Sequence, residues 1–159
     1  MGERLDYAEA SPQGYKALAA LDGFVERSGI DPMLLALVQL RASQINGCAY
    51  CLDMHSKDLL AMGEDPVRIH TLSAWRETPF FSERERAALR WTEEITLINE
   101  GHAPDDAYEE VRRHFNDEEL VNLTLAIATI GAWNRLSIAF RGQPGTYQSS
   151  RQPLAAAAG

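Results

Sequence analysis

Residues that start and stop helices recur along the whole chain, and no stretch alternates apolar and polar residues with the period of a strand. Aspartate followed by proline, which supplies an N-cap and a first helical residue, occurs at 31–32 and 65–66. Gly29, Gly47 and Gly63 follow apolar-rich segments, where a helix is expected to end. The pattern predicts an all-α fold.

These helix-starting and helix-ending residues divide the chain into about six to seven helices, which we expect to form a single-domain helical bundle over 1–141. The predicted helices begin near Pro12, Pro32, Cys48, Pro66, Ser82, Asp105 and Glu118, and the last of them ends near Phe140. With 159 residues, the chain is the size of one domain and can bury a core without a disulfide or a metal. The segment 142–159 has few apolar anchors and is expected to be a flexible tail or to reach over a neighbour.

The net charge of −8 argues against partners that need a basic surface, so neither nucleic acid nor an anionic membrane is expected. The longest weakly polar stretch, 123–133, is interrupted by Thr124, Thr129 and Gly131 and is shorter than the ~20 apolar residues of a membrane span. The N-terminal residues are acidic where a signal peptide is basic. We therefore expect a cytoplasmic location.

The chain has two cysteines, Cys48 and Cys51, in the order Cys-Ala-Tyr-Cys, and a histidine follows at His55. If a helix begins at Cys48, the three side chains share one face and can meet. The first turn of a helix lowers the pKa of a thiol and favours the reactive thiolate, and His55 can accept its proton. This spacing favours redox chemistry, although the residues alone leave open which sulfur attacks.

Two other interpretations of the three residues stay open. Cys48, Cys51 and His55 could supply three ligands to zinc, and the fourth could come from one of the remaining histidines, His70, His102 or His114. Alternatively, the cysteines could be an inert buried pair beside an ordinary core histidine. A thioredoxin fold is not expected, because the flanking segments are helical where thioredoxin has a strand.

Residues 40–55, LRASQINGCAYCLDMH, resemble the core motif of the alkylhydroperoxidase D family, within the carboxymuconolactone decarboxylase superfamily. The similarity covers 31–140 and includes Gly63, 75–77, 81–85 and 132–135. It implies an all-helical protein that assembles into trimers or hexamers. The implied activity is that of an antioxidant thiol peroxidase, which reduces a small hydroperoxide and is recycled by an external dithiol or thiol.

By the same resemblance, Cys51 is the peroxidatic cysteine, Cys48 the resolving cysteine and His55 the proton relay. The cysteine pair is then the redox centre, and neither a metal nor a bound cofactor is implied. The chain departs from the family at Ala36, where a relay glutamate is expected twelve residues before Cys48, and at Tyr50, in place of a histidine.

These departures leave room for a changed function. Carboxylates that could substitute for the glutamate on chemical grounds lie on a later predicted helix: Glu83, Glu85, Glu93 and Glu94. The alternatives to a peroxidase are a redox-sensing or zinc-binding protein with the same three residues, and a lyase like the decarboxylases of the superfamily, which work without a cysteine pair.

Overall fold

A computed structural model describes residues 2–155, and this part of the chain is helical without strands. Its elements are α1 (Tyr7–Ala10), α2 (Pro12–Glu26), α3 (Pro32–Asn46), α4 (Ala49–Met62), α5 (Pro66–Thr71), a 3₁₀ turn (Leu72–Glu77), α6 (Glu83–Thr96), α7 (Ile98–Gly101), α8 (Asp105–Arg112) and α9 (Asp117–Phe140). The predicted all-α class is confirmed. The helices beyond the predicted number, α1 and α7, span four residues each, too few to leave a periodic pattern.

The helix α3 lies at the centre of the bundle and is buried on all sides. On one side, Leu34, Leu35 and Val38 join an apolar cluster with residues of α2, α6, α8 and α9. On the other side, Leu37 and Leu40 join a second cluster with α4, α5 and the 3₁₀ turn. The run of apolar residues in α3 has no polar face, so the helix is stable only between two layers.

The last helix, α9, packs against α2, α3, α4, α6 and α8. Its start is fixed by a capping box, in which the side chains of Asn116 and Glu119 each accept a hydrogen bond from the other residue's backbone N–H. Among residues 2–155 it is also the one helix that is long and apolar enough to cross a membrane by composition. Its first turn is acidic, and it packs against five other helices of the bundle.

The segment after α9 runs back along α4 and is attached to it by hydrogen bonds. The N–H of Gly145 donates to Asp53 (2.9 Å), Lys57 donates to the carbonyl of Tyr147 (3.0 Å), and the N–H of Leu154 donates to the carbonyl of Met62 (3.0 Å). These anchors are polar, whereas the expectation of a flexible tail rested on its lack of apolar ones. The flexibility of the tail stays a prediction, and its last four residues, 156–159, lie outside the described part of the chain.

Candidate active site around the cysteine pair

A tight junction between α3 and α4 places both cysteines in the first turn of α4. Gly47 ends α3 in the left-handed conformation (φ 70°), which glycine adopts without the steric cost of a Cβ. Cys48 is the N-cap of α4 rather than its first residue, and its Sγ accepts the backbone N–H of Cys51 at 3.4 Å. The two cysteines are joined as a disulfide, with their Cα atoms 5.3 Å apart.

A buried asparagine on α9 stabilises this junction by hydrogen bonds to the end of α3. The side chain of Asn134 is fully buried; its oxygen accepts the amide of Asn46 (2.9 Å), and its nitrogen donates to the hydroxyl of Ser43 (3.0 Å). The same hydroxyl donates to the carbonyl of Gln39 (2.8 Å). Sequence reasoning did not assign Asn134 a role, and its polar neighbours Arg135 and Ser137 leave no local signal that it is buried.

The Cys51 side chain lines a cavity of about 490 Å³. His55, four residues later on the same face of α4, lines it as well, whereas Cys48 does not. Cys51 and His55 are 1% and 5% exposed, so the cavity is their route to a small molecule. Its full lining is Tyr7, Tyr15, Asp22, Glu26, Gln39, Tyr50, Cys51, Met54, His55, Asp58, Ile130, Trp133, Ser137, Tyr147, Ser150 and Arg151.

One wall of the cavity is aromatic. Tyr7 of α1, Tyr15 of α2 and Trp133 of α9 form a cluster in which the ring centroids lie 5.5 to 6.5 Å apart. Tyr50, at the position of the family's histidine, also lines the cavity, beside Cys51 in the chain. These rings provide an apolar surface suited to the organic part of a substrate.

Another part of the cavity lining is acidic and includes residues of the C-terminal segment. Asp58 is 6% exposed, and its Oδ1 accepts the hydroxyls of Tyr147 (2.8 Å) and Ser149 (2.5 Å). Arg151 pairs with Glu26 at 2.8 Å and approaches Asp58 at 3.9 Å. Burial, together with the carboxylate of Asp58, raises the pKa of Tyr147 to about 12, so the tyrosine hydroxyl keeps its proton.

His55 is buried and uncharged in the disulfide form. Its Nε2 is buried and has no hydrogen-bond partner among residues 2–155. Burial lowers the pKa of the imidazole from 6.5 to about 4, and the negative charge of Asp58 acts against this lowering. With the disulfide formed, the imidazole is therefore neutral at pH 7.

The carboxylates suggested as substitutes for the missing glutamate lie elsewhere. Ala36 is 5% exposed in the second apolar cluster and does not line the cavity. None of Glu83, Glu85, Glu93 and Glu94 lines it either, so that suggestion is wrong. Glu93 instead accepts hydrogen bonds from Arg41 and Trp75, both at 2.9 Å.

The histidines considered as a fourth zinc ligand are also remote from the cavity. His70 and His102 are exposed and His114 is half-buried, and none of the three lines the cavity of Cys51 and His55. Within residues 2–155, no three histidine, cysteine or acidic side chains are grouped so that they could hold a metal ion. The carboxylates that do line the cavity are Asp22, Glu26 and Asp58, which sequence reasoning missed.

Comparison with known proteins identifies relatives over nearly the whole chain. The uncharacterized protein YdfG of Bacillus subtilis is 43% identical over 139 residues, which cover 87% of this chain and 95% of YdfG. A solved structure from Agrobacterium tumefaciens, a protein of unknown function with a suggested role as the antioxidant defence protein AhpD, is 46% identical. Its TM-score is 0.89, with 92% of this chain and all of that chain covered.

The debrominase Bmp8 has the same fold, with a TM-score of 0.75 at 21% identity over 87% of this chain and 74% of its own. The family model described as "Carboxymuconolactone decarboxylase family" matches residues 12–94, which span α2 to most of α6 and include the cysteine pair and His55. The resemblance found in the sequence is thereby confirmed, and the chain belongs to the carboxymuconolactone decarboxylase family.

Proposed function

We propose that this protein is a thiol-dependent peroxidase that reduces small hydroperoxides through a Cys48/Cys51 dithiol–disulfide cycle, in an antioxidant role. The observation that carries the proposal is the position of Cys51. Its side chain shares one cavity with His55, while its disulfide partner Cys48 lies outside the cavity lining. A nucleophile at the cavity, a proton acceptor beside it and a second thiol within disulfide distance are the parts that the reaction needs.

The cycle starts from the reduced pair. Cys51 transfers its thiol proton to His55, and the thiolate attacks the outer oxygen of the hydroperoxide. The O–O bond breaks, the alkoxide takes the proton and leaves as alcohol, and Cys51 becomes a sulfenic acid. Cys48 then attacks this sulfur, which releases water and forms the disulfide. The peroxide has been reduced by two electrons and the cysteine pair oxidised by two.

An external dithiol or thiol reductant then attacks the disulfide, is itself oxidised, and restores both cysteines. The assignment of Cys51 as the attacking residue and Cys48 as the resolving residue is supported by the cavity, because Cys51 is the cysteine of the pair that lines it. Both lie in the first turn of α4, where the helix dipole favours a thiolate. The cysteine pair itself is the redox centre in this proposal, with no metal or bound cofactor taking part.

The family resemblance also leads us to propose a homo-oligomer, a trimer or a hexamer, in the cytoplasm. The partners proposed are therefore a small hydroperoxide, a thiol reductant and copies of the same chain, with no nucleic acid and no membrane. A cavity of about 490 Å³ with an aromatic wall is large enough for an organic hydroperoxide.

The test is a free-thiol count on reduced, metal-free protein before and after one equivalent of cumene hydroperoxide. Wild type should lose both thiols within seconds. Cys48→Ser should instead yield a sulfenic acid on Cys51 that dimedone traps, and Cys51→Ser should keep its thiol. Survival of both wild-type thiols would refute the peroxidase. Oxidation without turnover in excess dithiol would show a redox sensor instead.

A further inference from the structure

Asp58 is the cavity carboxylate best placed to act on His55. It follows His55 by three residues on α4, so the two side chains lie on the same face, one turn apart. Both are buried and both line the cavity. The family's glutamate position is occupied by Ala36 in an apolar cluster, so it supplies no carboxylate to this histidine.

The other two carboxylates of the cavity are on α2. Glu26 is bound by Arg151 at 2.8 Å, which balances its charge. Burial and the neighbouring Glu26 both raise the pKa of Asp22, which weakens its tendency to be charged. Asp58 lies farther from Arg151, at 3.9 Å, and accepts two hydroxyls on one oxygen, which hold its orientation.

We propose that Asp58, held by the hydroxyls of Tyr147 and Ser149, is a positioning residue that supports His55 as the proton acceptor for Cys51. In this arrangement the C-terminal segment is part of the site, since it carries both donors. The inference rests on the proposed function for its role in turnover. Its immediate claim concerns the reactivity of the Cys51 thiol.

The positions of Cys51, His55 and Asp58 along α4 indicate that the charge of Asp58 favours proton transfer from Cys51 to His55. When Cys51 gives its proton to His55, a thiolate and an imidazolium form. Asp58 lies one turn from His55 and two turns from Cys51, so it attracts the imidazolium more than it repels the thiolate. The titratable or charged groups that line the cavity together with His55 are Tyr7, Tyr15, Asp22, Glu26, Tyr50, Cys51, Asp58, Tyr147 and Arg151.

The test measures the rate at which neutral iodoacetamide alkylates Cys51, as a function of pH and without peroxide. The reduced Cys48→Ser protein serves as background, because serine is also a good N-cap for α4. Adding Asp58→Asn keeps an oxygen that can accept both hydroxyls but removes the charge. We expect alkylation at pH 7 to fall by about three- to tenfold and its pH midpoint to move upward.

Asp53→Asn is the matched control. Asp53 lies on the same helix and also binds the C-terminal segment, through the N–H of Gly145, but it does not line the cavity. Its substitution should leave the pH profile of Cys51 unchanged. Tyr147→Phe removes one donor to Asp58 and no charge, and it should slow alkylation by about twofold; it carries the test if Asp58→Asn does not fold.

An unchanged pH profile in Asp58→Asn, or an equal effect of Asp53→Asn, would overturn the proposal. An unchanged rate in Tyr147→Phe would overturn the part given to the C-terminal segment. Because alkylation needs no peroxide, the role of Asp58 and the peroxidase activity can be refuted independently of each other. If wild type does not react with cumene hydroperoxide but Asp58→Asn slows alkylation of Cys51, the peroxidase alone is refuted. If wild type reduces the hydroperoxide but Asp58→Asn leaves alkylation unchanged, this inference alone is refuted.

Discussion

Acidification should destabilise the oxidised protein through His55. The folded protein holds the pKa of this imidazole at about 4, below its ordinary value of 6.5, because the side chain is buried. The unfolded chain therefore binds the proton first as the pH falls. The contribution of His55 to stability is fully present above about pH 6.5 and is lost between there and pH 4.

The size of the effect follows from the two pKa values. One pKa unit corresponds to 1.36 kcal/mol, so a shift from 6.5 to about 4 is worth about 3 kcal/mol when complete. About 2 kcal/mol of this should already be lost between pH 7 and pH 5. That is a large share of the 5–15 kcal/mol that stabilises a typical domain.

The assay is urea unfolding of the disulfide form at several pH values from 7.5 to 4.5, with wild type and His55→Gln compared. Glutamine cannot be protonated, so the difference in unfolding free energy between the two proteins should shrink or change sign as the pH falls. His70→Gln, which removes an exposed histidine, controls for the loss of a histidine and should follow wild type. Parallel curves for wild type and His55→Gln would refute the reasoning.

Three further outcomes are expected. Asn134→Ala should lower the unfolding free energy by about 1–3 kcal/mol in urea, because it strands the amide of Asn46; an effect near zero would contradict this. Leu59→Ala, at a fully buried site in the second apolar cluster, should cost about 2–5 kcal/mol, against under ~1 kcal/mol for the exposed Leu60→Ala. In stopped-flow assays, cumene hydroperoxide should react about tenfold faster than an anionic fatty-acid hydroperoxide, since three carboxylates face one arginine in the cavity. Glu26→Gln, which removes one negative charge and frees Arg151, should narrow this ratio of rates; an unchanged ratio would exclude charge as its cause.

Much of the fold was readable in the sequence because it depends on local interactions. Proline at the first helical position and glycine just after the last are properties of a few adjacent residues, and they located α3 and α4 to within one or two residues. The spacing of Cys51 and His55 is equally local. Four residues along a helix place two side chains on one face in any fold, and both side chains do line one cavity.

What the sequence could not show are the contacts between distant parts of the chain. Asp58 reads as an ordinary polar residue of α4, yet its donors, Tyr147 and Ser149, come from a segment about ninety residues later. Glu83, Glu85, Glu93 and Glu94 were candidates on chemical grounds alone, and none lines the cavity, because no local pattern shows which helices surround it.

The all-α class, the boundaries of the longer helices and the alignment of Cys51 with His55 follow from the sequence, because backbone hydrogen bonding and capping act over a few residues. Which sulfur lines the cavity, and which carboxylates line it with the histidine, could be learned only from the fold. Those positions depend on how α2, α9 and the C-terminal segment pack around α4, and packing brings together residues that no local pattern relates.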